Sequence, residues 1–206
     1  AYRYADAARN RIVINNSAKI SGVVNPFVFD AEGRTYAENV DGYAMMQSIE
    51  DRTPVKGKTV LLIGAGGAAS SIALEAIDRI GSGRLVISNR TESRAHELGG
   101  NLRRFTGISE EQLITGGIEL IGEYAPNADI LISAITGENR YVTEDLAVNT
   151  PAYTLFADVN YGNSANGNSA SVAAIGRKTG HSSIDGVPMV YHGVVRAAQL
   201  AFGKKF

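Results

Sequence analysis

Residues 59–63, Thr-Val-Leu-Leu-Ile, form a continuously apolar run, and Gly-Ala-Gly-Gly-Ala-Ala follows at once over 64–69. A short apolar run of this kind suits a strand buried on both faces of a parallel sheet. Beyond the glycines, apolar or small residues at 68, 69, 72, 73, 76, 77 and 80 mark one face of a helix. The junction fits G-x-G-x-x-A, with Gly64, Gly66 and Ala69 in the three special places. The first glycine permits a tight strand-to-helix turn. The second leaves no side chain between the backbone and a pyrophosphate. The small third residue lets helix and strand pack closely. Backbone N–H groups at the helix start then face the phosphates, aided by the helix dipole. Gly64, Ala65, Gly66, Gly67 and Ala68 are therefore candidate dinucleotide contacts. The plainer alternative is a glycine-rich turn that binds nothing.

The rest of the chain repeats this alternation. Strands are predicted over 84–88, 129–135, 152–159 and 182–184, and helices over 91–105, 169–179 and 187–202. The stretch 106–127 is less regular, with candidate elements at 110–114 and 118–121. Alternating strands and helices imply right-handed crossovers and an α/β, doubly wound parallel sheet covered on both faces. Upstream, 5–11 suits a short helix. Residues 23–29 suit a strand broken at Pro26, 30–33 a turn, 34–38 a return strand and 40–50 a helix. The polar break over 51–58, with Pro54 and Gly57, is the expected domain boundary. The organisation expected is an N-terminal piece (1–55), a dinucleotide-binding domain (56–186) and a C-terminal helix packing back (187–206). The Asn, Gly and Ser-rich segment 160–171 reads as a loop.

The end of the second predicted strand bears on the choice of dinucleotide. An NAD site usually carries a carboxylate about 20 residues after the glycines, on the ribose 2′-hydroxyl. Here the sequence is Ser88-Asn89-Arg90-Thr91, with Arg94 one turn on. Arginine's planar fork suits a 2′-phosphate, and Asn89 can donate where Asp could only accept. Asn89, Arg90, Thr91 and Arg94 thus predict NADP, with Thr91 expected as the helix N-cap. The alternative is that both arginines are ordinary surface charges.

Composition removes several function classes. Lys plus Arg total 20 and Asp plus Glu total 21, a formal net charge of −1. The basic excess expected of a nucleic-acid binder is missing. With no cysteine, the 206 residues exclude disulfides, thiolate catalysis and cysteine metal sites. No apolar run reaches the roughly 18 residues of a membrane span. The first residues hold no hydrophobic signal core, so a cytoplasmic location is expected. No metal-ligand spacing, G-x-S-x-G elbow or Walker loop is present.

With these residues in hand, the chain resembles the shikimate/quinate dehydrogenase family from about Ala18 to Phe202. Ser21-Gly-Val-Val-Asn25 is similar to G-A-V-N-T, and Glu38-Asn-Val-Asp-Gly42 to N-T-D-G. The glycine turn matches G-A-G-G-A-A, and Asn89 to Arg94 matches N-R-T-x-x-R. Residues 129–136 resemble a strand ending near the nicotinamide, Asp158-Val-Asn-Tyr161 resembles D-x-x-Y, and Asp185-Gly-Val-Pro-Met189 resembles D-G-x-x-M. The resemblance implies a Rossmann-like NADP-binding domain with a truncated α/β substrate domain. It implies hydride transfer between NADPH and a cyclic keto or hydroxy acid such as 3-dehydroshikimate/shikimate. Asp41 is then one half of a catalytic pair, Asn25 and Tyr161 contact substrate, and Ala134, Thr136, Val159, Gly186 and Met189 border the cofactor.

The departures are equally specific. The family's N-V-T-x-P-x-K motif, whose Lys completes the pair, does not occur here. Pro26 replaces a Thr, and Gly193 stands where the resemblance implies a substrate-contacting Gln, with His192 just before it. His192 is a candidate substrate contact or replacement acid/base, whereas His96 reads as solvated and His181 as a loop residue. Asp41 could equally be a helix N-cap. The chain reads as a truncated piece of a longer enzyme or as a short relative with altered chemistry. The alternatives are a non-catalytic NADP-binding module and another reductase sharing the cofactor domain, such as glutamyl-tRNA reductase or methylene-tetrahydromethanopterin dehydrogenase. A small-molecule substrate is expected, and apolar residues within 23–29 make self-association an expectation.

Overall fold

The structure, a computed structural model, describes residues 12–29, 33–137, 139–161 and 171–203. The helix expected over 5–11, most of the turn over 30–33 and most of the loop over 160–171 lie outside the described residues.

Five consecutive strands of the sheet follow the apolar runs of the sequence. They are β4 (Thr59–Ile63), β5 (Arg84–Ser88), β6 (Leu113–Gly116), β7 (Ile130–Ser133) and β8 (Leu155–Asp158), with β9 (Ser183–Ile184) at the edge. The order is β6-β5-β4-β7-β8-β9 and every pairing is parallel. Side chains alternate between two cores, as a strand period of two requires. Val60 and Leu62 enter one core while Leu61 and Ile63 enter the other. Leu85 and Ile87 against Val86, and Ile130 and Ile132 against Leu131, do the same.

Helices cover both faces. On the first lie α2 (Asp41–Glu50), α3 (Gly67–Ile80) and α4 (Glu92–Thr106). On the second lie α5 (Glu119–Tyr124), α6 (Glu144–Val148) and α7 (Val172–Lys178). The closing helix α8 (Gly186–Phe202) packs on α2. The sheet reverses direction of growth between β4 and β7, the switch point at which open α/β sheets form a crevice.

The N-terminal piece forms a second, three-stranded sheet. In order β1-β3-β2, it joins β1 (Ile12–Ile14), β3 (Thr35–Ala37) and β2 (Phe27–Phe29), preceded on β2's side by α1 (Asn16–Ser21). β2 and β3 run antiparallel, as expected of a strand and its return. The strand expected over 23–29 is shorter than its apolar run. It begins at Phe27, after a cis Asn25–Pro26 peptide, because proline offers no N–H to a ladder. β1, α1 and α6 have no counterpart in the sequence reading. β1 is three residues long, and in α1 only Ala18 is buried, so neither leaves a periodic signal. In the irregular stretch, the candidate element at 110–114 is a strand that falls at 113–116, because a turn closed by Leu113 N–H on Ser109 O occupies the preceding residues.

The two parts meet where α2 crosses α3. A Cβ on Gly42 would lie 2.1 Å from the Ser71 carbonyl oxygen, so only glycine allows this approach. Gly42 N–H also donates to Ser71 Oγ at 2.9 Å. Gly42→Ala is expected to lower stability by about 1–3 kcal/mol through forced separation of the helices. Urea unfolding checks this, and an unchanged midpoint would mean that the crossing is looser than the geometry states.

Candidate functional site

The carboxyl ends of β4, β5 and β7 open into a cleft of about 760 Å³. Gly64, Ala65 and Gly66 form its floor, Asn89, Arg90 and Arg94 one wall, and Ala134, Ile135 and Thr136 the other. Arg140 and Tyr141 complete the lining. Eight of the expected cofactor residues are therefore brought together: Gly64, Ala65, Gly66, Asn89, Arg90, Arg94, Ala134 and Thr136.

The turn has the geometry that its glycines require. Gly64 has φ +127°, and a Cβ there would lie 2.8 Å from the Ala134 carbonyl oxygen. Its N–H donates to Ser88 O at 2.8 Å, while Ala134 N–H donates to Ile63 O at 2.8 Å, so the turn is tied to both neighbouring strands. Gly66 occupies the N-cap of α3 with ordinary extended backbone, φ −90° and ψ −172°. A Cβ on Gly66 would meet nothing within 4 Å. Neither strain nor packing accounts for this glycine, whereas a ligand held against the backbone would. Gly67 faces the other way: its Cβ would meet Val23 Cγ2, so its small size seats the N-terminal segment on the turn.

Arg90 and Arg94 are exposed and, among the described residues, neither forms an ion pair or side-chain hydrogen bond. Asn89 is turned inward, its Nδ2 donating to Thr91 O at 2.8 Å. Thr91 occupies the N-cap position of α4, but its side chain accepts no capping bond. The described residues thus fit a dinucleotide with an extra phosphate: a bare glycine floor, a helix N-terminus and uncommitted guanidinium groups.

The second constellation surrounds Asp41. Asn25 Nδ2 donates to Asp41 Oδ1 at 3.3 Å, joining two residues sixteen positions apart. Burial pushes the Asp41 carboxyl above the ordinary carboxylate range, and the bond from Asn25 partly offsets that. Asp41 is the first residue of α2 rather than its N-cap. The cap position belongs to Val40, and Asp41 N–H donates to Asn39 Oδ1 at 3.0 Å. Asn39 organises this corner and was not singled out in the sequence. It is 2% exposed. Its Nδ2 donates to Ser21 Oγ at 3.0 Å, its N–H to Ser17 Oγ at 3.1 Å, and its carbonyl accepts from Ser71 Oγ at 3.3 Å. The only hint was its place within Glu38-Asn-Val-Asp-Gly42. Among the described residues no lysine hydrogen-bonds Asp41. Lys58 is held by Asp129 at 2.8 Å and Lys178 by Glu144.

Other candidates are dispersed. His192 Nε2 pairs with Asp51 Oδ2 at 2.9 Å. Asp51 caps the far end of α2, about ten residues or roughly 15 Å along the helix from Asp41. His192, the candidate substrate contact on α8, is thus engaged by Asp51, while the adjacent Gly193 faces Val40 and Ala44 beside Asp41. Tyr161 is 65% exposed, and among the described residues no hydrogen bond joins it to Asn25 or Asp41. Its neighbour Asn160 binds Asp158 Oδ1 and Ile135 O, and Asp158 Oδ2 accepts Val172 N–H, so burial-raised Asp158 closes the loop between β8 and α7. Val159 N–H donates to Ser133 O, and Gly186 packs so tightly under Val159 O that a Cβ would clash. Asp185 caps α8 through Val187 N–H, and Met189 is part-buried against the first core. Ala68 is the second residue of α3 and is not among the residues lining the cleft. His96, expected solvated, spans Thr115 Oγ1 and Glu92 Oε1; His181 is buried against Phe156. Among the described residues no group of three His or carboxylates could hold a metal, and no helix is long and apolar enough to cross a membrane.

Comparison with known proteins agrees with this architecture. The family model for shikimate / quinate 5-dehydrogenase matches residues 46–160. A shikimate dehydrogenase (NADP(+)) from Methanothermobacter thermautotrophicus is 34% identical over 119 residues, covering 58% of this chain and 40% of that protein. An Ael1 enzyme from Pseudomonas putida superposes with a TM-score of 0.78 at 25% identity, covering 98% of this chain and 70% of that one. Shikimate 5-dehydrogenase from Listeria monocytogenes, in complex with shikimate and NAD, gives a TM-score of 0.77 at 20% identity over 94% of this chain and 68% of that one. The chain spans about half the length of the curated relatives that it matches. With its glycine turn at the sheet's switch point and the family model covering more than half of its residues, the chain belongs to the shikimate/quinate 5-dehydrogenase family.

Proposed function

We propose that this chain is the NADP-binding part of a shikimate-dehydrogenase-type oxidoreductase, together with the end of its substrate-binding part. In this reading residues 56–186 hold the dinucleotide, while 1–55 and 187–206 serve the substrate side. One observation carries it: Gly66 is bare toward a cleft that it shares with Arg90 and Arg94, which have no partner among the described residues. Gly64 to Gly67 and the first N–H groups of α3 receive the pyrophosphate. Arg90 and Arg94 take the 2′-phosphate, a preference for NADP over the NAD of the Listeria relative. When bound, the nicotinamide ring donates or accepts the hydride.

Asp41 and Asn25 serve the substrate. A carboxyl whose pKa is raised by burial can hold a proton at Oδ while Asn25 fixes its orientation. The substrate class is a small cyclic hydroxy acid, supported by the names of the relatives. A second reading, an NADP-binding module without turnover, is favoured by the lack of a lysine on Asp41 among the described residues.

Three outcomes test these assignments. Gly66→Val should fold normally, because its Cβ has open space and ordinary backbone, yet lose NADP⁺ binding. A thermal-shift titration reads both at once, and retained NADP⁺ stabilisation would remove the phosphate-turn assignment. Arg90→Ala combined with Arg94→Ala should weaken NADP⁺ by roughly tenfold or more while leaving NAD⁺ nearly unchanged; equal losses would make both arginines general surface charges. The third concerns pH. Because Asp41 has a raised pKa in the fold, the protonated form favours folding, and that contribution is lost as pH rises through the folded pKa. Asp41→Asn should therefore match the wild type in acid and gain stability relative to it toward neutral pH, measured by urea unfolding from pH 3 to 8. A constant difference across that range would show that Asp41 is not a strained carboxylate.

A further inference from the structure

The cleft carries a third arginine that neither the glycine turn nor the Asn89-to-Arg94 element contains. Arg140 lines it from the wall beyond β7, opposite Arg90 and Arg94. Like them it is exposed and, among the described residues, has no ion pair or side-chain hydrogen bond. No carboxylate is among the described lining residues of the cleft. The nearest acids on α4 are directed elsewhere: Glu92 bonds His96, and Glu97 borders the adjoining hollow beside Arg94 without pairing to it. Three arginines thus line one cleft, and among the described residues none of them is paired.

Arg140 is held in place by its neighbours. Asn139 is buried, and its Oδ1 accepts the N–H groups of both Tyr141 and Val142, at 3.1 and 3.0 Å. Its Nδ2 donates to Val142 O at 2.7 Å. Val142 is 2% exposed in the second core, and Thr143 caps α6 one residue later. The backbone on both sides of Arg140 is thereby locked while its side chain stays free. Such an arrangement limits the entropy lost when the guanidinium orders on a ligand.

We propose that Arg140 is a specificity residue for the 2′-phosphate, closing from the β7 side on the anion that Arg90 and Arg94 approach from the β5 side. This rests on the dinucleotide reading of the cleft. A 2′-phosphate brings close to two negative charges to one spot, more than one bidentate arginine neutralises. Two walls of the same cleft then share it.

The test uses calorimetric titration of the 206-residue chain and of Arg140→Gln with 2′,5′-ADP, 5′-AMP and NADP⁺. The wild type should bind 2′,5′-ADP more tightly than 5′-AMP. Arg140→Gln should weaken 2′,5′-ADP and NADP⁺ by roughly tenfold or more and leave 5′-AMP within about twofold. The thermal midpoint should not move, since Arg140 has no partner to lose. Unchanged affinity for 2′,5′-ADP, with the wild type binding normally, would overturn the assignment. An equal loss for 5′-AMP would also overturn it, by placing Arg140 on the 5′-phosphate. Failure of the wild type to bind any of the three would refute the dinucleotide reading itself.

Discussion

Ser71 holds the two halves of the site in register. Its hydroxyl accepts Gly42 N–H and donates to the Asn39 carbonyl, while its own backbone leaves no room for a Cβ at Gly42. Ser71 lies on α3, the helix that starts at the glycine turn. Gly42 and Asn39 flank the N-terminus of α2, where Asp41 sits. One buried hydroxyl therefore fixes the distance between the carboxylate and the glycine turn. The Gly67–Val23 contact adds a second point of support. Buried polar networks of this kind specify one arrangement because any shift leaves a donor unpaired. Reactions that join two bound groups depend on such fixed geometry.

The sheet was legible in the sequence wherever a run had one dominant environment. Residues 59–63, 84–88 and 129–135 are apolar at consecutive central positions because helices cover both faces, and each became a strand within two residues of its expected end. The small N-terminal sheet was not legible in the same way. Its strands are three residues long and partly open, with Phe29 at 71% exposure and Val13 at 50%. Short strands gain their definition from partners distant in the chain, here Ile12 with Thr35 and Phe27 with Ala37. α6 carried a local signal that was passed over, since Thr143 followed by Glu144 and Asp145 is a capping residue with acids in the first turn.

The site divides along the same line. The glycine turn and Asn89 to Arg94 are local, so their spacing alone carried the chemistry. Asn39, Ser71 and Asn139 act by reaching across loops or between helices, and nothing in their immediate sequence separates them from ordinary polar residues. His192 neighbours a position that the resemblance makes important, and its bond to Asp51, 141 residues away in sequence, could not be read from local spacing. Thr91 and Asp41 show that a residue of capping type near a helix start need not cap it. At Asp41 the Asn39 side chain takes that part instead.

The distribution of arginines separates structural charge from charge kept available for binding. Arg79 bridges Glu50 and Glu75 at 2.6 Å each and lies 5.4 Å from the centre of the Tyr43 ring. Arg196 reaches Glu38 and lies over the other approach to that ring, 5.2 Å from its centre. Both are committed to holding α2, α3 and α8 together. Among the described residues Arg90, Arg94 and Arg140 have no such partners. An exposed guanidinium can stand alone because water solvates it, whereas a buried one left unpaired is costly. An incoming anion then meets charges that need not break an ion pair first, and the attraction grows as the cleft walls exclude water. Among the described residues the lining holds no carboxylate, and an acid there would compete with an anion for the arginines.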